Sequence, residues 1–195
     1  MRFLMTQFPR EPEQRAKLRV LDVGCGAGRH TLLFAEQGFQ TFGTDFSLPG
    51  LAAARERLRA KNLCAELAGA TMQALPFADA SLDGVVSFGV LYYNDWAGVQ
   101  NALNEIARVL KAGGKAHIVT RTTRDFRFGK GEQIDAHTFR LNISETNERE
   151  MVMCFLERAD IDELFKNFSQ VTVDRNEFRT DAGRTDSDWI LTATK

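Results

Sequence analysis

Apolar runs rich in Val, Leu and Phe alternate along the chain with amphipathic segments of helical period. This alternation is typical of a parallel sheet that is covered by helices on both faces, so we expect an α/β fold. The predicted strands cover residues 18–23, 40–45, 64–67, 84–88 and 115–120. The predicted helices cover about residues 29–37, 48–61 and 96–111.

The predicted helix over residues 96–111 has the clearest period. Its apolar positions recur at steps of three and four residues: Trp96, Val99, Leu103, Ile106 and Leu110. Asp95 can cap the start of this helix, and Gly113 can supply the left-handed residue that ends it.

The C-terminal part of the chain changes character. A predicted helix over about residues 160–167 precedes two strand-like runs, residues 170–178 and 188–194, which are separated by the turn-rich stretch TDAGRTD. Such a short connection favours an antiparallel hairpin at the edge of the sheet. Residues 121–155 mix polar residues, glycines and several Phe without a clear period. Because long loops inside a domain are often functional, we interpret this segment as a substrate lid, with a structured insertion as the alternative.

Composition narrows the expected partners. The 195 residues fit a single domain, and 25 Lys and Arg against 26 Asp and Glu give a net charge of −1, so nucleic acid is not an expected partner. The first residues lack the apolar core of a signal peptide and no later run is long enough to span a membrane, so we expect a cytoplasmic protein without a membrane partner. Three scattered cysteines suit neither a disulfide framework nor a zinc site, and we expect no metal. The oligomeric state stays open.

The stretch VLDVGCGAGRHT, residues 20–31, runs from an apolar strand into three glycines at alternate positions: Gly24, Gly26 and Gly28. Glycine permits unusual backbone angles and lets a ligand approach the backbone closely. A strand that leads through such a turn into a helix also presents backbone N–H groups at the carboxyl edge of the sheet. We therefore expect a ligand at this turn.

The neighbouring acids narrow the choice of ligand. The order G-x-G-x-G differs from the G-x-G-x-x-G of a dinucleotide site. Asp22 would repel a pyrophosphate but attract a cationic group. Asp45, at the end of the second strand, stands where an acidic residue accepts hydrogen bonds from ribose hydroxyls. These residues predict a nucleoside ligand with a cationic tail.

Four blocks of sequence resemble the class I S-adenosylmethionine-dependent methyltransferases. They are LDVGCGAGRH (21–30), GTDFS (43–47), ALPFADASLDGVVSFGVLYY (74–93) and EIARVLKAGGKAHIV (105–119). The resemblance is to the small-molecule branch, similar to the ubiquinone-biosynthesis, tellurite and thiopurine methyltransferases. It implies a three-layer Rossmann-like fold with a mostly parallel seven-stranded sheet and an antiparallel C-terminal hairpin, and S-adenosylmethionine as the cofactor.

The resemblance also implies a set of cofactor-binding residues. The set is Asp22, Gly24, Gly26 and Gly28 for the methionine moiety, Asp45 for the ribose hydroxyls, Phe46 and Met72 beside adenine, and Phe88 and Gly89 near the sulfonium. Thr71 stands where relatives commonly have an acidic residue before that Met, and a hydroxyl accepts from the adenine amino group less strongly than a carboxylate. Relatives also usually carry a helical segment before the first strand, whereas about 17 residues precede it here.

The acceptor side offers three candidates. Tyr92 and Tyr93 follow the fourth strand, where an aromatic face can stabilise a sulfonium or methyl group, and packing is the alternative role. Arg121 ends the fifth strand and can bind an anionic substrate, unless it is simply solvated. Methyl transfer requires alignment of the acceptor and exclusion of water, so a dedicated catalytic residue is not obligatory and none is assigned.

These observations lead to three functional hypotheses. We expect a methyltransferase that acts on an unidentified small molecule and releases S-adenosylhomocysteine. The alternative is a non-catalytic S-adenosylmethionine-binding regulatory or assembly protein, which Thr71 and the lack of an evident base favour. A nicotinamide-dependent oxidoreductase is disfavoured by the glycine spacing and by Asp22.

Overall fold

The computed structural model describes residues 2–195, which form two sheets and six helices. In chain order the elements are α1 (Arg2–Gln7), α2 (Pro12–Arg15), β1 (Arg19–Val23), α3 (Arg29–Glu36), β2 (Gln40–Asp45), α4 (Leu48–Ala60), β3 (Glu66–Gly69), β4 (Leu82–Phe88), α5 (Trp96–Val109), β5 (Leu110–Arg121), β6 (Gly131–Gln133), β7 (Thr138–Leu141), β8 (Val152–Cys154), α6 (Asp160–Leu164), β9 (Gln170–Arg179) and β10 (Thr185–Thr194).

The larger sheet has seven strands in the order β3-β2-β1-β4-β5-β10-β9. Strands β1 to β5 run parallel to one another, whereas β10 runs antiparallel to both β5 and β9. This arrangement confirms the predicted α/β fold and its C-terminal hairpin. The order reverses direction between β1 and β4, and ligands of such sheets bind beyond the carboxyl ends of the strands at that point.

Side chains of the central strands alternate between the two faces of this sheet. Val20 and Val86 point to the face on which α1 and α3 pack, and Leu21 and Val85 point to the face covered by α5 and α6. Gly84 lies within β4, where a Cβ atom would come within 2.7 Å of the ring of Phe8. The sheet therefore forms the middle of three layers, as a parallel sheet buried on both sides requires.

The predicted start of helix α5 at Trp96 is confirmed. Asp95 caps its start by accepting a hydrogen bond from the backbone N–H of Gly98 at 2.8 Å. The predicted end is wrong, because the helix stops at Val109 and Leu110 already has an extended backbone that begins β5. Gly113 does adopt a left-handed φ of 77°, but it lies inside β5, where its N–H donates to the carbonyl of Lys195. It therefore does not end the helix.

Other boundaries also differ from the predictions. The third strand covers 66–69 rather than 64–67, and helix α6 ends three residues earlier than predicted, at Leu164. Before the first strand, α1 and α2 were not predicted, and α1 places Phe3 and Leu4 in the core beneath the sheet.

Residues 121–155 are folded rather than a plain loop. They contain the three-stranded antiparallel sheet β6-β7-β8, and we call this segment the insertion. Its own buried cluster includes Phe139, Leu141, Met153 and Phe155, together with Tyr92 from the main domain. The backbone N–H of Cys154 donates to the carbonyl of Tyr92 at 2.8 Å, so the insertion is joined to the segment that follows β4.

Candidate cofactor and acceptor site

The glycine turn after β1 has left-handed backbone angles at all three predicted positions. The φ angles are 69° at Gly24, 50° at Gly26 and 79° at Gly28, a region that residues with a Cβ atom rarely adopt. A Cβ atom on Gly24 would lie 2.7 Å from Val90, and one on Gly28 would lie 2.9 Å from Ala54. A Cβ atom on Gly26 would meet nothing within 4 Å. Two of the glycines are thus required by the packing of the chain itself, and Gly26 faces open space that a ligand can enter.

Asp45 joins the end of β2 to this turn. One carboxylate oxygen accepts a hydrogen bond from the backbone N–H of Gly26, and the other accepts from the N–H of Ser47, both at 2.7 Å. The side chain is largely buried but lines a cavity at the carboxyl edge of the sheet. Because each carboxylate oxygen has a further lone pair, Asp45 can still accept from a ligand hydroxyl.

Asp22 lies beneath the turn rather than in the cavity wall. It is 2% exposed, and one carboxylate oxygen accepts hydrogen bonds from the backbone N–H and the hydroxyl of Thr31, at 2.9 and 2.8 Å. Burial raises the pKa of Asp22 to about 6, although the two hydrogen bonds from Thr31 act in the opposite direction. Its visible role is to attach the first turn of α3 to the end of β1.

The cavity has a volume of about 150 Å³ and lies between the ends of β1, β2 and β4. Among the predicted cofactor residues it is lined by Gly24, Asp45, Phe46, Thr71 and Met72, and among the acceptor candidates by Tyr93. The ring of Phe46 is 82% exposed at the rim. The structure therefore brings six of the predicted residues together around one space.

Sequence reasoning missed Gln73, Val90 and Asn94, which also line the cavity. Asn94 donates from its side-chain nitrogen to the sulfur of Met72 at 3.1 Å and to the carbonyl of Leu91 at 3.0 Å, and it accepts from the side chain of Gln73. These contacts fix the wall formed by Met72. The only signal in the sequence was adjacency to Met72 and Tyr93.

Phe88 and Gly89 lie at the end of β4, and neither lines the cavity. The Phe88 ring is 41% exposed and packs against His30, with ring centroids 4.8 Å apart, and beneath the guanidinium of Arg29 at 5.2 Å. Burial, together with the positive charge of Arg29, lowers the pKa of His30 to about 4, so its imidazole is neutral at pH 7. Gly89 has a φ of 73° and donates its N–H to the carbonyl of Val119.

The three acceptor candidates occupy different environments. Tyr92 is buried in the cluster of the insertion, whereas Tyr93 is 38% exposed at the cavity and its hydroxyl donates to Glu148 at 2.9 Å. Arg121 lies over the ring of Tyr92 at 5.0 Å and forms ion pairs with Asp125 at 3.2 Å and with Asp188 at 3.0 Å. The charge of Arg121 is therefore balanced by the protein, which leaves little attraction for an anionic substrate.

The ion-pair network of Arg121 continues through Asp125 to Arg127, which the sequence did not reveal and which holds the insertion in place. Arg127 is 7% exposed and donates to Glu148 at 2.6 Å, to Asp186 of β10 at 2.7 Å and to Asp125 at 3.0 Å. Arginine is rarely buried, and two of the three carboxylate partners, Glu148 and Asp186, are distant from Arg127 in the sequence. No local pattern therefore predicts this network. The network connects the insertion to β10 on one side and, through Glu148, to Tyr93 on the other.

Two further properties bear on the kind of site. Within residues 2–195, no group of three or more His, Cys, Asp or Glu side chains is arranged to hold a metal ion. No helix in the same described range is long and apolar enough to cross a membrane.

The family comparison covers the part of the chain that contains the glycine turn and the cavity. Residues 20–114 match the family described as a methyltransferase domain, so the resemblance found in the sequence is confirmed there. The family implies S-adenosylmethionine as the cofactor, as predicted.

Methyltransferases are among the proteins with similar sequences. The demethylmenaquinone methyltransferase of Thermus thermophilus is 36% identical over 105 residues, which are 52% of this chain and 46% of that protein. The ubiquinone/menaquinone biosynthesis C-methyltransferase UbiE of Geotalea uraniireducens is 34% identical over 111 residues, 54% of this chain and 46% of that protein. The matched region thus spans less than half the length of either relative.

Solved structures extend the likeness to the whole fold. A crystal structure of a SAM-dependent methyltransferase from Methanosarcina mazei superimposes with a TM-score of 0.77 at 20% sequence identity. The alignment covers 100% of this chain and 97% of the other. At this identity the comparison confirms the three-layer methyltransferase fold, including the C-terminal hairpin.

Proposed function

We propose that the protein transfers a methyl group from S-adenosylmethionine to a small-molecule acceptor and releases S-adenosylhomocysteine. The observation that carries this proposal is the open space at Gly26, directly beside the Asp45 carboxylate and the cavity rimmed by Phe46. We also propose that the chain acts as one methyltransferase domain and that the protein is located in the cytoplasm.

The residues present fit the cofactor. Asp45 can accept from ribose hydroxyls, Phe46 and Met72 offer apolar surface for adenine, and Thr71 offers a hydroxyl to its amino group. The methionine moiety would lie over Gly26, the one glycine of the turn with open space. Sites for such ligands usually enclose roughly 300–1,000 Å³, whereas this cavity encloses about 150 Å³, so we propose that part of the cofactor lies outside it, over Gly26.

The bound cofactor supplies an electrophilic methyl group on a positively charged sulfur. The protein has to align the acceptor atom with that methyl and keep water away. Tyr93 lines the cavity and donates a hydrogen bond to Glu148 of the insertion, so we propose that Tyr93 contacts the acceptor. Arg127 attaches the insertion to β10, which favours the structured insertion over the substrate lid for this segment.

The acceptor is proposed to be a small, largely apolar molecule. Relatives named demethylmenaquinone methyltransferase support this choice, and so do the exposed rings of Phe46, Phe88 and Phe128 near the ends of the strands or in the insertion. Arg121 does not argue for an anionic acceptor, since its charge is paired.

The test separates binding from turnover. Calorimetry with S-adenosylmethionine and S-adenosylhomocysteine measures cofactor affinity, and a screen of small aromatic acceptors then detects S-adenosylhomocysteine as it forms. Micromolar binding with acceptor-dependent release supports the proposal. Tight binding with no acceptor across the panel would favour the non-catalytic alternative, which the substitution of Thr71 for an acid motivates. An absence of binding would refute both.

A further inference from the structure

A hydrogen bond with a defined direction joins the cavity to the insertion. Tyr93 lines the cavity and its hydroxyl lies 2.9 Å from a carboxylate oxygen of Glu148 in the insertion. A carboxylate can only accept hydrogen bonds. The proton of Tyr93 therefore points to Glu148, and the phenol oxygen keeps its lone pairs for other partners.

Glu148 is held in this state by the remaining contacts of its side chain. Its second oxygen accepts from the side chain of Arg127 at 2.6 Å and from the hydroxyl of Thr146 at 2.8 Å. Burial opposes ionisation, but the hydrogen bonds from Arg127, Thr146 and Tyr93 hold the pKa of Glu148 below its usual range. Burial also raises the pKa of Tyr93. At neutral pH the pair is therefore a carboxylate and a neutral phenol.

Tyr92 continues the same arrangement toward the end of β4. Its ring centroid lies 4.5 Å from that of Tyr93, and its hydroxyl oxygen lies 3.6 Å from the position of a Cβ atom on Gly89. If Tyr92 also takes part, it donates to Tyr93 and the chain still runs toward Glu148. In both cases the proton of Tyr93 is directed to Glu148, so Tyr93 offers a ligand only the lone pairs of its oxygen.

The surrounding charges favour the same class of ligand. The network beside the two tyrosines holds two arginines, Arg121 and Arg127, which face four carboxylates: Asp125, Glu148, Asp186 and Asp188. Because both arginines are paired within the protein, they leave little attraction for an anionic acceptor, which would also meet the lone pairs of Tyr93.

We propose that Glu148 is a positioning residue that sets the proton direction at Tyr93, and that the methyl acceptor presents a hydroxyl or amine hydrogen to the phenol oxygen of Tyr93. When the oxygen or nitrogen of the acceptor takes the methyl group from the sulfonium, this hydrogen leaves as a proton to bulk water. This inference rests on the proposed methyl transfer and names the class of acceptor for it. It excludes thiolate, enolate and carboxylate acceptors, which have no proton to donate at the reacting atom.

The proposal makes an unusual prediction for Glu148→Gln. Arg127 requires an oxygen, so the glutamine oxygen would take its contact and the amide nitrogen would face Tyr93. That nitrogen can only donate, so the proton of Tyr93 would turn toward the ligand. The variant is therefore expected to lose the preference for ligands with a donor hydrogen and to favour ligands that accept a hydrogen bond. If the role of Glu148 is merely structural, the preference does not change in this way.

The experiment compares phenol with methoxybenzene, its analogue without the donor hydrogen, on protein saturated with S-adenosylhomocysteine. Dissociation constants are measured by ligand-observed NMR. We expect the wild type to bind phenol about tenfold more tightly, the value of one well-made hydrogen bond. Glu148→Gln should lower that ratio to one or below, and Tyr93→Phe should bring it close to one. Glu132→Gln, at an exposed glutamate of the same insertion, is the matched control and should keep the wild-type ratio.

Several outcomes would overturn the inference. An equal affinity of the wild type for both probes, binding of neither probe, or the same ratio in wild type and Glu148→Gln would each contradict it. Failure of the wild type to bind S-adenosylhomocysteine would instead contradict the proposed function. If Glu148→Gln does not fold, as judged by its thermal unfolding, the ratio measured for Tyr93→Phe decides: an unchanged ratio refutes the role of the phenol oxygen.

Discussion

The cofactor half and the insertion are built by different means. In residues 20–114 the candidate site depends on backbone conformation: left-handed glycines, the ends of parallel strands and an aspartate that accepts backbone hydrogen bonds. In residues 121–155 the structure depends on buried side chains, with Arg127 paired to three carboxylates beside a small cluster of phenylalanines. A turn that requires left-handed backbone angles can be recognised in the sequence by its glycines. An ion-pair network between residues distant in the sequence produces no such local pattern. The two halves should also respond differently to substitution.

The largest effect is expected at Arg127. Arg127→Ala removes the arginine that pairs with Asp125, Glu148 and Asp186, of which Asp125 keeps its second ion pair with Arg121. Breaking a buried ion pair in this way costs about 3–5 kcal/mol. The free energy of unfolding, measured in urea, should fall by that amount. Arg158→Ala, which breaks an exposed pair with Asp162, is the control and should cost about 0.5 kcal/mol or less; equal losses in the two variants would contradict the assigned importance of Arg127.

The next effect concerns the pH dependence of stability in the cofactor half. The pKa of Asp22 in the folded protein is raised to about 6, above its value in the unfolded chain. Its contribution is therefore fully present below about pH 4 and is lost as the pH rises through about 6. The loss amounts to about 3 kcal/mol, from two pKa units at about 1.4 kcal/mol each.

The difference in unfolding free energy between wild type and Asp22→Asn isolates this contribution, because asparagine stays neutral. Urea denaturation at pH 4 and pH 7 should show the wild type losing stability relative to the variant at the higher pH. A difference that does not change between these pH values would show that Asp22 titrates normally.

A smaller pair of effects distinguishes two glycines of the same turn. Gly24→Ala meets both the left-handed backbone and the side chain of Val90, and should destabilise the fold by about 2 kcal/mol. Gly26→Ala meets only the backbone strain, about 1 kcal/mol, but its methyl group enters the space assigned to the ligand. Thermal unfolding should therefore be affected more by the first substitution, and affinity for S-adenosylhomocysteine more by the second. The opposite ranking would mean that the ligand does not lie over Gly26.

The sequence predicted those parts of the fold whose physical causes are local. The apolar period of α5, its Asp95 cap and the strands at 40–45 and 84–88 follow from neighbouring residues, as does the glycine turn. The end of α5 was wrong because Leu110 pairs with Leu82 in the sheet, a contact distant in sequence that overrides the local period. Strands β6 and β8 have three residues each, too short for alternation to be visible.

In the candidate site, too, the residues with a local sequence signal were predicted and the others were not. The glycine turn, Asp45, Phe46 and Met72 were recognisable from a motif, and the structure places Gly24 and the other three residues around one cavity. Asn94 and Glu148 were not recognisable, since their roles depend on contacts with Met72 and Tyr93 that only the folded chain creates.

The most direct test of the central claim is calorimetric titration of the wild type and Asp45→Ala with S-adenosylmethionine. If Asp45 accepts from the ribose while it holds Gly26 in place, the substitution removes charged hydrogen bonds worth about 1.5–3 kcal/mol, and the dissociation constant should rise at least tenfold. A dissociation constant that is the same in both proteins would show that the nucleoside does not bind between the glycine turn and the end of β2.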